Sequence, residues 1–258
     1  MKTLKCLLLA ILLVGTRYPS LAQKPEVRKP ITRIGNTKAM HLEYAQVGYD
    51  VFVVNYPAQN IQLFWKGANG QILKSLGNLK AYTSSKGKKL LFAANAGMYT
   101  TENGPKGLYI ENGKELKHID LKKGPKTNFY MQPNGVFYTT AKHAYIATSG
   151  TFNKKEKVLF ATQSGPMLVV DGVVNSQFTK GSANINIRNG VGIDKEGRVY
   201  FVISSGLVNF YDFAMFFKEK LNCRQALFLD GGISRTYLPE LKRMDEDGNF
   251  GVMVGVTE

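Results

Sequence analysis

The sequence is short of the groups that most often announce chemistry. It has 2 cysteines and 3 histidines in 258 residues. Cys6 falls in the N-terminal segment, so Cys223 is the only thiol left once that segment is removed, and no intramolecular disulfide can form. Cys223 follows a helical pattern, precedes an apolar strand and has no histidine near it in sequence. It reads as a small buried apolar residue rather than a nucleophile. His41, His118 and His143 have no metal-ligand spacing, which argues against a two- or three-histidine zinc site. Phosphate-cradling and dinucleotide fingerprints are absent. Gln163-Ser164-Gly165 lacks the first glycine of a nucleophile elbow. No apolar run reaches the ~20 residues a membrane helix needs. Acidic residues are scarce as well: 19 against 34 basic ones, for a net charge of +15. The lysines are scattered through loops rather than gathered in a stripe, as at Lys122-Lys123 and Lys154-Lys155. They predict a solvated surface that draws anionic substrates, and no nucleic-acid partner.

What is present begins with a sorting signal. Lys2 and Lys5 precede a short apolar stretch at 6–15, and Ser20-Leu21-Ala22 supplies small residues at the cleavage positions. Residues 1–22 are expected to be a signal peptide cut before Gln23, which predicts a secreted or periplasmic protein with no stable membrane insertion. A polar leader over 23–40 is expected next, with a domain over 41–258.

Tyrosine (13), phenylalanine (15) and glycine (26) tilt the chain towards strands and turns. Strands are expected over 41–56 and 61–65. A turn is expected at Gly67-Ala68-Asn69-Gly70, then a helix or loop over 76–88. Apolar runs flank Asn112-Gly113, Asp171-Gly172 and Asp194 to Gly197, and another follows Asp245 to Gly248. These are hairpin signals, because the tight turns require positive φ. One clear helix is expected over 210–221, with Phe213, Ala214, Phe217 and Leu221 on its inner face. Asn209 is placed to cap it, and Asp212 suits its positive start. The expected class is α+β, one domain dominated by antiparallel hairpins.

The chain is organised around Ala226-Leu227-Phe228-Leu229-Asp230-Gly231-Gly232-Ile233-Ser234. A buried strand there runs straight into a carboxylate, two glycines that let a ligand approach the backbone, and a hydroxyl. Other polar residues stand at strand ends beside Gly or Pro: Asn95, Asn134, Gln163 with Ser164, and Arg188 with Asn189.

Several of these stretches occur together, in this order, in one family: residues 95–99, 107–113, 134–137, 163–167, 188–192, 209–214 and 229–234. The chain resembles the phosphodiester glycosidases, the uncovering-enzyme-like family, and within it a short bacterial branch. It departs from the wider pattern at Asn95-Ala96-Gly97-Met98 and at Ile233, as that branch does. The resemblance implies hydrolysis of a sugar 1-phosphodiester at the glycosyl carbon–oxygen bond, giving free sugar and a phosphomonoester.

That chemistry fits a sequence with one prominent carboxylate. Ordinary glycosidases use two, one of them to protonate a poor leaving group. A phosphomonoester is a much weaker base than an alkoxide and needs less help. The expectation is that Asp230 acts at the anomeric carbon and Arg188 grips the phosphoryl oxygens bidentately. The amides of Gly231 and Gly232, with Ser234, would assist. Asn95, Asn134, Gln163, Ser164 and Asn189 are expected to bind substrate, and Asp212 is a weaker second carboxylate. No cofactor is expected, though a divalent ion held by Asp230 stays an open alternative. So do attack at phosphorus and a non-catalytic protein that binds anionic glycans. The sugar and the oligomeric state are not specified.

Overall fold

The computed structural model describes residues 38–122, 124, 127–153, 156–229 and 233–258. The expected signal peptide and nearly all of the expected leader lie outside them, as do Asp230, Gly231 and Gly232. The first strand, Ala39–Tyr44, starts just inside the stretch assigned to the leader.

Among the described residues three sheets make up the fold, and every strand pairing is antiparallel. The largest has seven strands in the order Ala39–Tyr44, Val47–Val54, Val199–Ser204, Asn189–Asp194, Cys223–Phe228, Met167–Val170 and Val173–Val174. A five-stranded sheet runs Arg243–Met244, Thr236–Leu238, Leu90–Asn95, Met253–Thr257 and Ile61–Phe64. The third, also five-stranded, runs Lys114–Lys117, Tyr109–Glu111, Phe160–Ser164, Gly135–Thr139 and Ala144–Thr148.

Period-two alternation divides the side chains of the large sheet between two cores. Phe52, Val54, Val199, Phe201 and Leu227 point into a cluster shared with Phe92, Val254, Phe137 and Phe160 of the other two sheets. Phe92 joins the sheets directly, stacking on Phe52 at 4.8 Å and on Phe201 at 5.0 Å. Tyr49, Val51, Tyr200, Val202, Ala226 and Phe228 point the other way, under Phe213, Phe216 and Phe217 of the helix.

Secondary structure departs from expectation in four places. Among the described residues the fold is β-dominated, with two α-helices, so α+β describes it only coarsely. The stretch 41–56 is two strands, broken by Ala45 and Gln46 at φ 49° and 65°. No glycine marks that turn, which is why composition hides it. The last expected hairpin does not form: Met253–Thr257 pairs with Ile61–Phe64 and Leu90–Asn95, while Arg243–Met244 pairs with Thr236–Leu238. The helix over 210–221 is α-helical over Phe210–Met215 and then widens into a π-helical turn over Phe216–Lys220. Leu76–Ser85 is a helix capped by Ser75.

Candidate functional site

The site is assembled from strand ends. Leu229 N–H donates to Asn189 O at 3.2 Å, and Leu229 O accepts from Ser164 Oγ at 3.0 Å. The peptide leading into Asp230 is therefore held from both sides, by the ends of two different sheets.

Next to it stands a buried pair of asparagines. Asn95, at the end of Leu90–Asn95, and Asn189, at the start of Asn189–Asp194, are 0% and 1% exposed. Asn189 Nδ2 donates to Asn95 O at 2.8 Å and to Asn95 Oδ1 at 3.1 Å. Its Oδ1 accepts from Ser234 Oγ at 3.3 Å. Asn95 Nδ2 donates to Ile233 O, and Asn95 Oδ1 accepts from the amide of Arg235, each at 2.8 Å. Asparagine suits this position because one side chain both donates and accepts. The pair thus clamps the segment that follows Gly232. Four expected site residues, Asn95, Asn189, Ser234 and Ser164, meet around the two ends of the Asp230–Gly232 stretch.

Arg188 adjoins this cluster through the chain and is itself 1% exposed. Its Nε donates to Val208 O at 2.8 Å, and Nη2 donates to Asn184 O at 2.8 Å and Asn184 Oδ1 at 3.1 Å. The guanidinium lies flat on Phe210, 3.7 Å from the ring centroid, with Phe228 at 5.5 Å. Among the described residues no carboxylate pairs with it. Burial alone lowers its pKa, to about 10, so it keeps its charge at neutral pH. With Nε and Nη2 engaged by the protein, a bidentate grip through those two nitrogens is not offered in this arrangement. Nη1 is the nitrogen without a protein partner among the described residues.

Gln163, Asn134 and Asp212 stand differently. Gln163 Oε1 accepts from the amides of Leu108 and Asp120 at 3.0 and 2.9 Å. Its Nε2 donates to Asp120 O at 2.7 Å and to Ser149 Oγ at 3.1 Å. All four hydrogen-bonding positions are used, which makes it a strut between loops and leaves nothing for a sugar hydroxyl. Asn134 Nδ2 donates to Phe129 O at 2.9 Å, holding the short helical turn Asn128–Tyr130. Asp212 accepts from Asn209 Nδ2 at 2.8 Å while its amide donates to Asn209 Oδ1 at 2.9 Å, a reciprocal helix cap. Among the described residues no hydrogen bond or ion pair ties it to Arg188.

Two glycines let these pieces close up. Gly97 has φ +78°, and a Cβ there would stand 1.9 Å from Thr162 Oγ1. Gly107 has φ +78° too, and its Cβ would stand 2.2 Å from Gln163 Oε1. Only glycine tolerates both the angle and the approach.

Sequence reasoning passed over Lys106, which lies between Gly97 and Gln163. Its amide donates to Met98 O at 2.8 Å, and its ammonium lies 5.0 Å from the Phe129 ring and 4.8 Å from that of Tyr130. The available signal was its place inside Pro105-Lys106-Gly107, at the edge of one of the shared motifs. Among the described residues no group of three or more His, Cys, Asp or Glu side chains is placed to hold a metal ion.

Comparison with known proteins follows the same stretch of chain. A family model described as phosphodiester glycosidase matches residues 88–256. The uncharacterized protein YigE of Escherichia coli strain K12 is 40% identical over 187 residues, which is 72% of this chain and 73% of that protein. Among solved structures, the fold is similar to the catalytic domain of zebrafish N-acetylglucosamine-1-phosphodiester alpha-N-acetylglucosaminidase, auto-inhibited by its pro-peptide. That likeness has a TM-score of 0.61 at 16% identity, over 85% of this chain and 81% of the other.

Proposed function

The chain belongs to the phosphodiester glycosidase family, and from that premise we propose that it is an exported hydrolase of sugar 1-phosphodiesters. Water adds to the anomeric carbon, the bond from that carbon to the phosphoryl oxygen breaks, and a phosphomonoester departs with the bonding electrons. Asp230 takes the proton from water or stabilises the positive charge that develops on the sugar. Arg188 offsets the negative charge of the departing group. The one observation that supports this most is the double anchoring of Leu229 by Asn189 and Ser164. It fixes the peptide that precedes Asp230 to Asn189, whose chain neighbour Arg188 is a buried guanidinium with no acid to neutralise it among the described residues. Asn95, Asn189 and Ser234 hold the loop around the reacting centre, and no cofactor is invoked.

The test is hydrolysis by the purified mature protein of a panel of sugar 1-phosphodiesters, run in oxygen-18 water. Label in the sugar supports the proposed bond cleavage. Label in the phosphate means attack at phosphorus and overturns it. Tight binding without turnover would instead identify a glycan-binding protein. Asp230→Asn should lower kcat by about a hundredfold or more while the circular dichroism spectrum stays unchanged. Full activity in that variant removes Asp230 from the mechanism. Export is checked by N-terminal sequencing of the secreted or periplasmic protein, which should start at Gln23.

A further inference from the structure

A cavity stands apart from the site described above, and no part of the proposed reaction uses it. It encloses about 110 Å³ between the end of the helix Leu76–Ser85, the edge strand Ile61–Phe64 and the turn joining Tyr109–Glu111 to Lys114–Lys117. A single water takes about 10–15 Å³ of such a space, so there is room for a small molecule. Phe160 lies in its wall and opens the strand whose far end carries Ser164. Four residues of extended chain set the two places roughly 13 Å apart along that strand.

The walls are held by backbone bonds. Gly87, at φ +70°, turns the chain out of the helix, and the amides of Lys86 and Lys88 both donate to Thr83 O at 3.0 Å. The two lysines flanking that glycine therefore line the cavity from a fixed turn. On the hairpin side, Gly113 N–H donates to Leu159 O at 2.8 Å, which fixes Glu111 and Asn112 beside the strand Phe160–Ser164. Tyr82 stands edge-on to Phe64, with ring centroids 6.4 Å apart.

The Glu111 carboxylate is half-buried, and its Oε2 accepts from the hydroxyl of the fully buried Tyr109 at 2.5 Å. Burial raises its pKa, and the bond from Tyr109 offsets part of that rise. Lys86 and Lys88 line the same cavity, yet among the described residues neither forms an ion pair with it. Two ammonium groups and one carboxylate thus face one space without closing on each other. The positive excess favours an anionic ligand and disfavours a free amine. The carboxylate accepts only, so it calls for a donor on the same ligand, which a hydroxyl supplies and a bare anion does not. Gln62 and Asn112 add amides that both donate and accept. We propose that this cavity binds a sugar monophosphate, with Lys86 and Lys88 on the phosphate oxygens and Glu111, Asn112 and Gln62 on the ring hydroxyls. The site does not depend on the proposed diester cleavage.

Calorimetry on the full mature protein, with glucose 6-phosphate, glucose and inorganic phosphate as the titrants, tests this. Wild type should bind glucose 6-phosphate at least about tenfold tighter than either of the others. Lys86→Met and Lys88→Met, both at exposed positions, should each weaken that binding by about tenfold. Glu111→Gln keeps an acceptor for the Tyr109 hydroxyl. It should weaken glucose 6-phosphate by a similar factor while inorganic phosphate binds as well as before or better. Lys142→Met, an exposed lysine outside the cavity, should match wild type. No binding of glucose 6-phosphate, or binding indifferent to all three cavity substitutions, overturns the proposal. So does inorganic phosphate that binds as tightly as the sugar phosphate, the mark of a bare anion site. Hydrolysis of a small sugar 1-phosphodiester should be unchanged in Lys86→Met, and a fall in kcat there overturns the separation of the two sites. Cavity-dependent sugar phosphate binding in a protein that cleaves no diester supports this proposal and overturns only the reaction.

Discussion

Arg188 shows most plainly what position does to a residue. A guanidinium taken out of water without a carboxylate is costly, and burial pulls its pKa down to about 10. The cost is offset by bonds to Val208 and Asn184 and by stacking on Phe210. Lysine cannot copy this arrangement, because it lacks the planar face and the fixed fork of donors. Arg188→Lys is expected to weaken binding of a phosphate-containing ligand by about tenfold or more, as one lost charge-assisted hydrogen bond requires. Calorimetry with the ligand titrated into both proteins checks this. Gln163 makes the opposite point. It was legible as a polar residue at a strand end, but its partners, Leu108, Asp120 and Ser149, come from three separate stretches. Spacing alone has no access to whether a donor is already satisfied.

Among the elements, hairpins were readable wherever the turn carried its own chemistry. Asn112-Gly113 and Asp171-Gly172 supply positive φ and do join antiparallel strands. Ala45-Gln46 adopts positive φ without a favoured residue, held by the pairing of Ala39–Tyr44 with Val47–Val54. The helix after Asn209 was legible in its cap and its inner face. Its π-helical turn was not, because that turn answers to the sheet below. Phe216 is completely buried there and stacks on Tyr49 with ring centroids 3.9 Å apart. The Tyr49 hydroxyl is buried without a hydrogen-bond partner among the described residues, and burial, reinforced by the charge of Asp212, raises its pKa. Phe216→Ala should destabilise the protein by about 3–5 kcal/mol, read as a drop in the urea midpoint. A change under about 1 kcal/mol would mean that the helix carries little of the core.

For the molecule as a whole, charge pairs link the first hairpin to the C-terminal part of the chain. His41 Nδ1 pairs with Asp50 Oδ1 at 2.7 Å, Asp50 Oδ2 accepts from Arg243 at 2.9 Å, and Arg243 Nε donates to Asp245 at 3.2 Å. The bond to Asp50 raises the His41 pKa above its ordinary 6.5. Protonated His41 therefore favours the folded state fully below about pH 6.5, and that contribution disappears as pH rises through the raised value. The difference in urea midpoint between wild type and His41→Gln should be larger at about pH 5.5 than at about pH 8.5. An equal difference at both would show that the imidazole charge plays no part. Because His41 is half-exposed, added salt should shrink the effect. By itself the sequence determined the local matters: the strand and helix periodicities, the hairpin turns with Asn-Gly or Asp-Gly, the Asn209 cap, and the family, carried by motifs in a fixed order. Those depend on neighbours a few residues apart. Only the tertiary structure decided that Asn95, Asn189 and Ser234 bind one another, that Gln163 is saturated, and that Arg188 lies buried on Phe210. Each of these depends on burial and on partners tens of residues away, which are set when three sheets close on a common core.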